Sequence, residues 1–257
     1  MMTEKEIKKR RRYIGGSEIA AILGTSPFQT AAGLYDEKLG LVEPKPSSEA
    51  MLTGVFLEDG IAKLWAYRFQ KKLDALEVKL KRHRPKVHPE FGFMRASPDR
   101  LVFIDSPQWQ GGLVICEGLE IKCISAYSEA AGGWGRSGSQ DYPDYYRAQC
   151  AWNRMIFDLP VWNLIALVAD GRYTIKHYTY KADLAYEKSL RDAACDFWFN
   201  NVKKRVRPAE APKKEHVVPG TENIPQAPAW MVQAERNVDY ATTFDKKETL
   251  DGEDDKQ

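Results

Sequence analysis

Two stretches decide how this chain reads: "MRASPDRLV", residues 94–102, and "GLEIKCIS", residues 118–125. Each sets an acid against an apolar, strand-like run. Asp99 follows Pro98 and precedes a run of Leu, Val, Phe and Ile, while Glu120 is one residue removed from Lys122. On a strand, alternate side chains share a face, so Glu120 and Lys122 point one way and Ile121 points into the core. If the strand after Asp99 pairs with the strand that carries Glu120, the two acids meet. Two carboxylates and the backbone carbonyl of Ile121 suit a hard, octahedral cation such as magnesium or manganese. Acids held together are costly unless a cation neutralises them. A lysine beside them is placed to orient or deprotonate a water that attacks phosphorus. A lone D…ExK pattern is also common by chance, so the rest of the chain carries the weight.

Working outward, "GGSEIAAILG" predicts a short helix with Ser17 as N-cap and Gly24 as its stop, and "SPFQTAAGLYDEKLG" predicts a second helix ending at Gly40. From Ser48 to about Gln70, apolar positions from Leu52 through Val55, Phe56, Ile61 and Trp65 to Phe69 recur at helical spacing, with Glu58 among them. The period then changes. "ALEVKLKRH", "FGFMRASPD", "RLVFID" and "GLVICEGLEIKCIS" read as a small antiparallel meander. "AGGWGRSGSQDYP" reads as a glycine-rich loop that a ligand would order. "DYYRAQCAWNRMIFD" reads as a helix carrying Gln149. "VWNLIALVA" and "YTIKHYTY" form a hairpin across Asp170-Gly171, and a last helix runs from about Ala182 to Lys204. The order predicts an α/β (α+β) fold with one mixed sheet flanked by helices. The expected domain spans residues 1–207, and the proline-rich, then acidic, residues 208–257 read as a loosely ordered tail.

A chain of 257 residues, 43% hydrophobic and 29% charged, has enough apolar material for one substantial core. No apolar run is long enough to cross a bilayer, and the charged start "MMTEKEIKKRRRY" lacks a signal peptide's apolar stretch, so a cytoplasmic protein with no membrane partner is expected. The four cysteines, Cys116, Cys123, Cys150 and Cys195, form no C-x-x-C pair and read as small core residues. Net charge is only +2, but "KKRRR" (8–12) and "KKRVR" (203–207) are local basic clusters of the kind that meets a polyanion.

The ordered blocks "RRRYIGGSEIAAILGTSPF", "GVFLEDGIAKLW", "MRASPDRLV", "GLEIKC" and "YYRAQCAW" resemble the lambda-type phage exonucleases, or YqaJ-like viral recombinase nucleases, of the PD-(D/E)xK superfamily. The resemblance covers residues from about Lys9 to Asn201. It implies a restriction-endonuclease-like core and a magnesium-dependent 5′-to-3′ exonuclease, with manganese able to substitute and two ions per site. Such an enzyme degrades one strand of linear duplex DNA and leaves a 3′ overhang for a single-strand annealing recombinase. The resemblance also implies a homotrimer in a bacterial host or prophage setting.

By the same resemblance, Asp99, Glu120 and the Ile121 carbonyl match the metal ligands, and Lys122 matches the lysine beside the attacking water. Glu58 matches a helical acid serving the second metal or its waters, and Gln149 a helix glutamine near the active site. Ser17, Ser97 and Arg10 match contacts to the substrate's 5′ phosphate, with Arg11 and Arg12 leaving that register open. Arg12, Trp134 and Arg136 are further candidate DNA contacts, although a loop tryptophan is more often structural. The chain departs from the pattern in two places. Where an acid can precede the SPD block it has Pro89, with Glu90 one residue away. It also carries Arg100 where a glycine is common, either as a phosphate contact or to close a turn. Two other readings share these residues: another nuclease on the same core (Cas4-like, though without its clustered cysteines, or an endonuclease), and a non-catalytic DNA-end-binding protein.

Overall fold

The computed structural model describes residues 4–43, 48–71, 77–105, 114–126, 133–169 and 172–210. The chain divides into two units, Met1–Pro219 and Gly220–Gln257, and every described residue lies in the first. Asp170 and Gly171, the expected hairpin turn, lie outside the described residues, as does the segment after 210.

A five-stranded mixed sheet forms the centre. Its strands are β1 (Glu77–Lys81), β4 (Arg100–Asp105), β5 (Val114–Ser125), β6 (Val161–Ala169) and β7 (Thr174–Lys181), in the order β1-β4-β5-β6-β7. All neighbours are antiparallel except β5 and β6, which run parallel. A parallel pair needs a crossover, and here it carries the helix α5 (Asp144–Phe157). β6 is buried along nearly its whole length, which is why it reads as an unbroken apolar run. Alternation then sorts the side chains. Trp162, Leu164, Ala166 and Val168 join the core that contains Ala148, Ala151 and Trp152 of α5. Leu119, Ile121, Ile165 and Leu167 pack on the opposite face. Gly118 is required on the α5 face, because a Cβ there would lie 2.1 Å from the Trp162 ring.

That opposite face is covered by α4 (Glu49–Gln70), which starts where the sequence predicts, with the Ser48 hydroxyl accepting from the Met51 N–H. Its apolar stripe divides in two. Ile61, Ala62 and Trp65 are buried, and Trp65 stacks on Phe69. Val55 and Phe56, which share its helical spacing, are exposed, Phe56 by 81%. A 22-residue helix is about 33 Å long, and only its second half lies over the sheet.

Three helices precede α4: α1 (Glu4–Arg10), α2 (Gly16–Ile22) and α3 (Ala31–Leu39). α2 is capped differently from the expectation. Gly15, not Ser17, occupies the N-cap, and its N–H donates to the Glu18 carboxylate at 2.9 Å, so Ser17 lies inside the first turn and is exposed. Gly40 ends α3 at φ +70, as its position predicts. The expected strand "FGFMRASPD" shrinks to β3 (Arg95–Ala96), which pairs with β2 (Lys86–Val87), while Met94 bridges to Ile14. Pro98 has no N–H to extend the ladder, and Phe93 and Met94 serve as core residues, Phe93 stacked on Trp198.

The last helix is α6 (Leu184–Asp196), which continues as a π-helical segment, Phe197–Lys203. Beyond it Arg207 pairs with Asp36 of α3 through two nitrogens, and Glu210 accepts from Thr30, so the described chain stays fastened as far as residue 210. The glycine-rich loop is also held: Gly138 N–H donates to the His177 carbonyl, and the Tyr178 hydroxyl to that of Gly135, both at 2.8 Å.

Candidate active site

Pairing of β4 with β5 runs from Ile104↔Val114 to Arg100↔Leu119 and ends there. β5 continues past the end of its neighbour, so the edge at Ile121 has no β4 strand opposite it. Asp99, the residue just before β4, fills that gap: its Oδ2 accepts the Ile121 N–H at 2.7 Å. The N–H and C=O of one strand residue leave the backbone on the same edge, so the Ile121 carbonyl faces the same space. Glu120 and Lys122 project together onto the α5 face, and the Lys122 ammonium donates to Glu120 Oε1.

α5 supplies the remaining grip. Gln149 Nε2 donates to Glu120 Oε1 at 2.5 Å, and Asn153 Nδ2 to Glu120 Oε2 at 3.2 Å. The two amides stand four residues apart on one helix face and hold both carboxylate oxygens. Asn153 is 1% exposed and did not stand out in the sequence. Among the described residues its Oδ1 is buried with no hydrogen-bond partner, and it lies where a Cβ on Gly16 would come within 2.6 Å. Gly16 therefore lets the start of α2 press against the residue that holds Glu120. A second glutamine-like amide one turn after Gln149 was the available signal.

The electrostatics follow from this crowding. Burial, and then the charge of Glu120, push the Asp99 carboxyl up to about 8; Glu58 adds to the rise and Lys122 opposes it. Burial works against the charge of Lys122, but Glu120 and Asp99 outweigh it and hold the ammonium well above its ordinary value. Lys122 also lies over the Tyr146 ring, 5.4 Å from its centre. Two carboxylates this close, with a carbonyl beside them, fit a hard cation. Among the described residues, no three His, Cys, Asp or Glu side chains converge as a metal site, so the candidate ligands are these two acids and the backbone oxygen.

Glu58 lies nearby but is engaged elsewhere. Arg100 Nη1 donates to Glu58 Oε1 at 2.6 Å and to the Asp99 carbonyl at 2.5 Å, and Arg100 Nη2 donates to Asp59 Oδ1 at 2.7 Å. Arg100 thus ties α4 to the Asp99 turn.

Arg10 and Ser17 come together: Arg10 Nη2 reaches the Ser17 hydroxyl at 3.5 Å and Glu18 at 3.3 Å. Beneath them Lys38 donates to Glu18 at 2.6 Å and to the Arg10 carbonyl at 3.0 Å. The Arg11 guanidinium instead packs against Gly40, 2.5 Å from where a Cβ would stand. Ser97, Arg12 and Arg136 are exposed. Trp134 is only 8% exposed and packs against Tyr146 and Tyr178. Glu90 is exposed at the β2–β3 turn, its N–H bonded to His88, and does not join the acids. Cys123, Cys150 and Cys195 are free thiols on β5, α5 and α6, and of these only Cys150 is fully buried. No helix among the described residues is long and apolar enough to cross a membrane.

Residues 7–158 match the model of the YqaJ-like viral recombinase domain. Over 129 residues the chain is 35% identical to the protein YqaJ of Bacillus subtilis (strain 168); the match covers 50% of this chain and 35% of that protein, so it spans about a third of that relative's length. The fold is similar to the crystal structure of an alkaline exonuclease (LHK-Exo) from Laribacter hongkongensis, with TM-score 0.56 and 15% identity, covering 79% of this chain and 94% of that one. The same exonuclease in complex with dAMP aligns with TM-score 0.57, 15% identity and the same coverage. The mixed sheet flanked by helices is thus the nuclease fold of those structures.

Proposed function

The chain belongs to the YqaJ-like viral recombinase domain family, and from that premise we propose that it is a metal-dependent exonuclease acting on linear duplex DNA. It degrades one strand 5′ to 3′ from a phosphorylated end. The observation that carries this reading is the meeting of Asp99, the Ile121 edge, Glu120 and Lys122 at the end of β4.

Asp99, Glu120 and the Ile121 carbonyl would hold magnesium, or manganese in its place. A bound divalent ion supplies charge stabilisation to the attacking and leaving oxygens of an in-line displacement. Gln149 and Asn153 fix both Glu120 oxygens, which keeps a ligand acid in one orientation. Lys122 stands on the same face. There it is placed to orient or help deprotonate the attacking water and to offset charge on the phosphoryl oxygens.

Arg10, Ser17 and Ser97 bind the terminal phosphate, because a guanidinium and hydroxyls match its charge and oxygen geometry. Anchoring the end sets which bond meets the reacting centre. The water oxygen bonds to phosphorus and the P–O3′ bond breaks. A 5′-mononucleotide leaves, and the new end again carries a 5′ phosphate for the same pocket. The complex of LHK-Exo with dAMP, a nucleotide held on the same fold, is in keeping with such a product.

Contacts to backbone rather than bases make the activity sequence-tolerant and salt-sensitive. The 3′ overhang would feed a strand-annealing recombinase in the cytoplasm of a bacterial host. A homotrimer would offer cover for the exposed Met51, Val55 and Phe56 of α4, and light scattering measures it. The function is tested by incubating linear and covalently closed duplex DNA with magnesium or EDTA. Linear DNA is expected to be degraded only with magnesium; closed circles cut as readily as linear ends would overturn the exonuclease reading.

A further inference from the structure

We propose that each site takes one divalent cation, because Arg100 occupies the charge position beside Glu58 that a second ion would need. This rests on the metal-dependent reading above and deepens it.

Arg100 is 4% exposed, and its three hydrogen bonds run to Glu58, Asp59 and the carbonyl of Asp99. One of those partners is backbone, so the guanidinium is fixed to the turn that presents Asp99. Arg82 adds a further positive charge 3.7 Å from Glu58. A guanidinium does not shed its proton in a protein, so this charge cannot be titrated away to make room.

A magnesium ligated by Glu58 would sit about 2.1 Å from one of its oxygens. Through the oxygen bonded to Arg100, that is less than about 5 Å from the guanidinium nitrogen; through the other oxygen it is less than about 7 Å. At such distances a dication and a fixed cation repel in a partly buried setting; Lys122 puts the same repulsion on an ion at Glu120, where the second acid, Asp99, offsets it. Moving Arg100 aside would break all three bonds and leave a buried cation without partners, which is itself costly.

Arg100 therefore does in this chain, with a side chain, what a second metal would otherwise do for Glu58: it neutralises the acid and holds α4 against the Asp99 turn.

The test counts manganese bound per chain, by equilibrium dialysis with electron paramagnetic resonance of the free ion. It uses the full chain saturated with a 5′-phosphorylated duplex whose terminal linkage resists hydrolysis. One ion per chain is expected. Arg100→Gln, which removes the charge, is expected to bind two, and Arg100→Lys, which keeps it, one. Two ions in the wild type overturn the proposal, as does a count that stays at one in a folded Arg100→Gln protein. Glu58→Gln gives an independent arm: it retains its one ion at saturation, and loss of that ion would make Glu58 a ligand and overturn the proposal. No ion at all in the wild type would refute the metal-dependent reading itself, so the two failures are distinct.

Discussion

Replacing Asn153 with alanine removes the only hydrogen bond described to Glu120 Oε2, while Lys122 and Gln149 continue to hold Oε1. A hydrogen bond to a charged acceptor contributes about 1.5–3 kcal/mol, equivalent to about 10- to 150-fold in a binding constant. Loss of a group that orients a metal ligand costs about 10- to 100-fold in metal affinity, so the two estimates agree. The expected fold stability moves in a smaller range. The truncation strands Glu120 Oε2, but it also removes the Asn153 Oδ1 that already lacks a partner beside Gly16. Manganese binding by calorimetry, paired with thermal melts in EDTA, separates the two effects. Affinity should fall 10- to 100-fold with a melting temperature close to wild type. Affinity within twofold of wild type would refute the idea that Asn153 positions Glu120, and a fall in stability matching the fall in affinity would make the residue merely structural.

Lys122→Ala should lower the cleavage rate by about 10²–10³ while manganese and DNA binding survive, as single-turnover kinetics and calorimetry would report; a near-normal rate removes Lys122 from the chemistry. Because burial and Glu120 hold Asp99 up to about 8 against an ordinary 3.8, its ionisation disfavours the metal-free fold. Melts in EDTA should therefore show stability falling as pH rises from about 4 to about 8, and Asp99→Asn should flatten that slope. The same proton must leave when a cation binds, so manganese affinity should climb through pH 6–8 and level off above. Arg10→Ala should erase the preference for 5′-phosphorylated over 5′-hydroxyl ends, whereas Arg11→Ala, whose guanidinium packs at Gly40, should leave it intact; the reverse pattern in end-labelled assays would exchange their roles.

Much of this site was legible because its signals are local. Strand alternation placed Glu120 with Lys122, Pro98 marked the turn that frees Asp99, and Gly40 marked a helix end by cap chemistry. What stayed hidden depends on partners distant in sequence. Asn153 looks like any polar helix residue until Gly16 of α2 closes over it. Arg100 reads as a strand-end charge until Glu58 and Asp59, some forty residues earlier, bury it. Val55 and Phe56 obey the same helical period as Ile61 and Trp65, and periodicity says nothing about how far the sheet beneath extends. Trp134 sits in a glycine-rich loop, yet Tyr146 and Tyr178 enclose it. Local pattern fixes which face a residue takes, and tertiary contact decides what meets that face.

The proposed function makes Asp99 and Glu120 the metal-binding heart of an exonuclease. A linear duplex that carries a labelled 5′ phosphate, incubated with magnesium and either wild type or Glu120→Gln, probes that role. Wild type should release the label as a mononucleotide from the 5′ end, and Glu120→Gln should release essentially none. Equal trace release by both proteins would contradict the account and leave a DNA-end-binding protein on a nuclease fold.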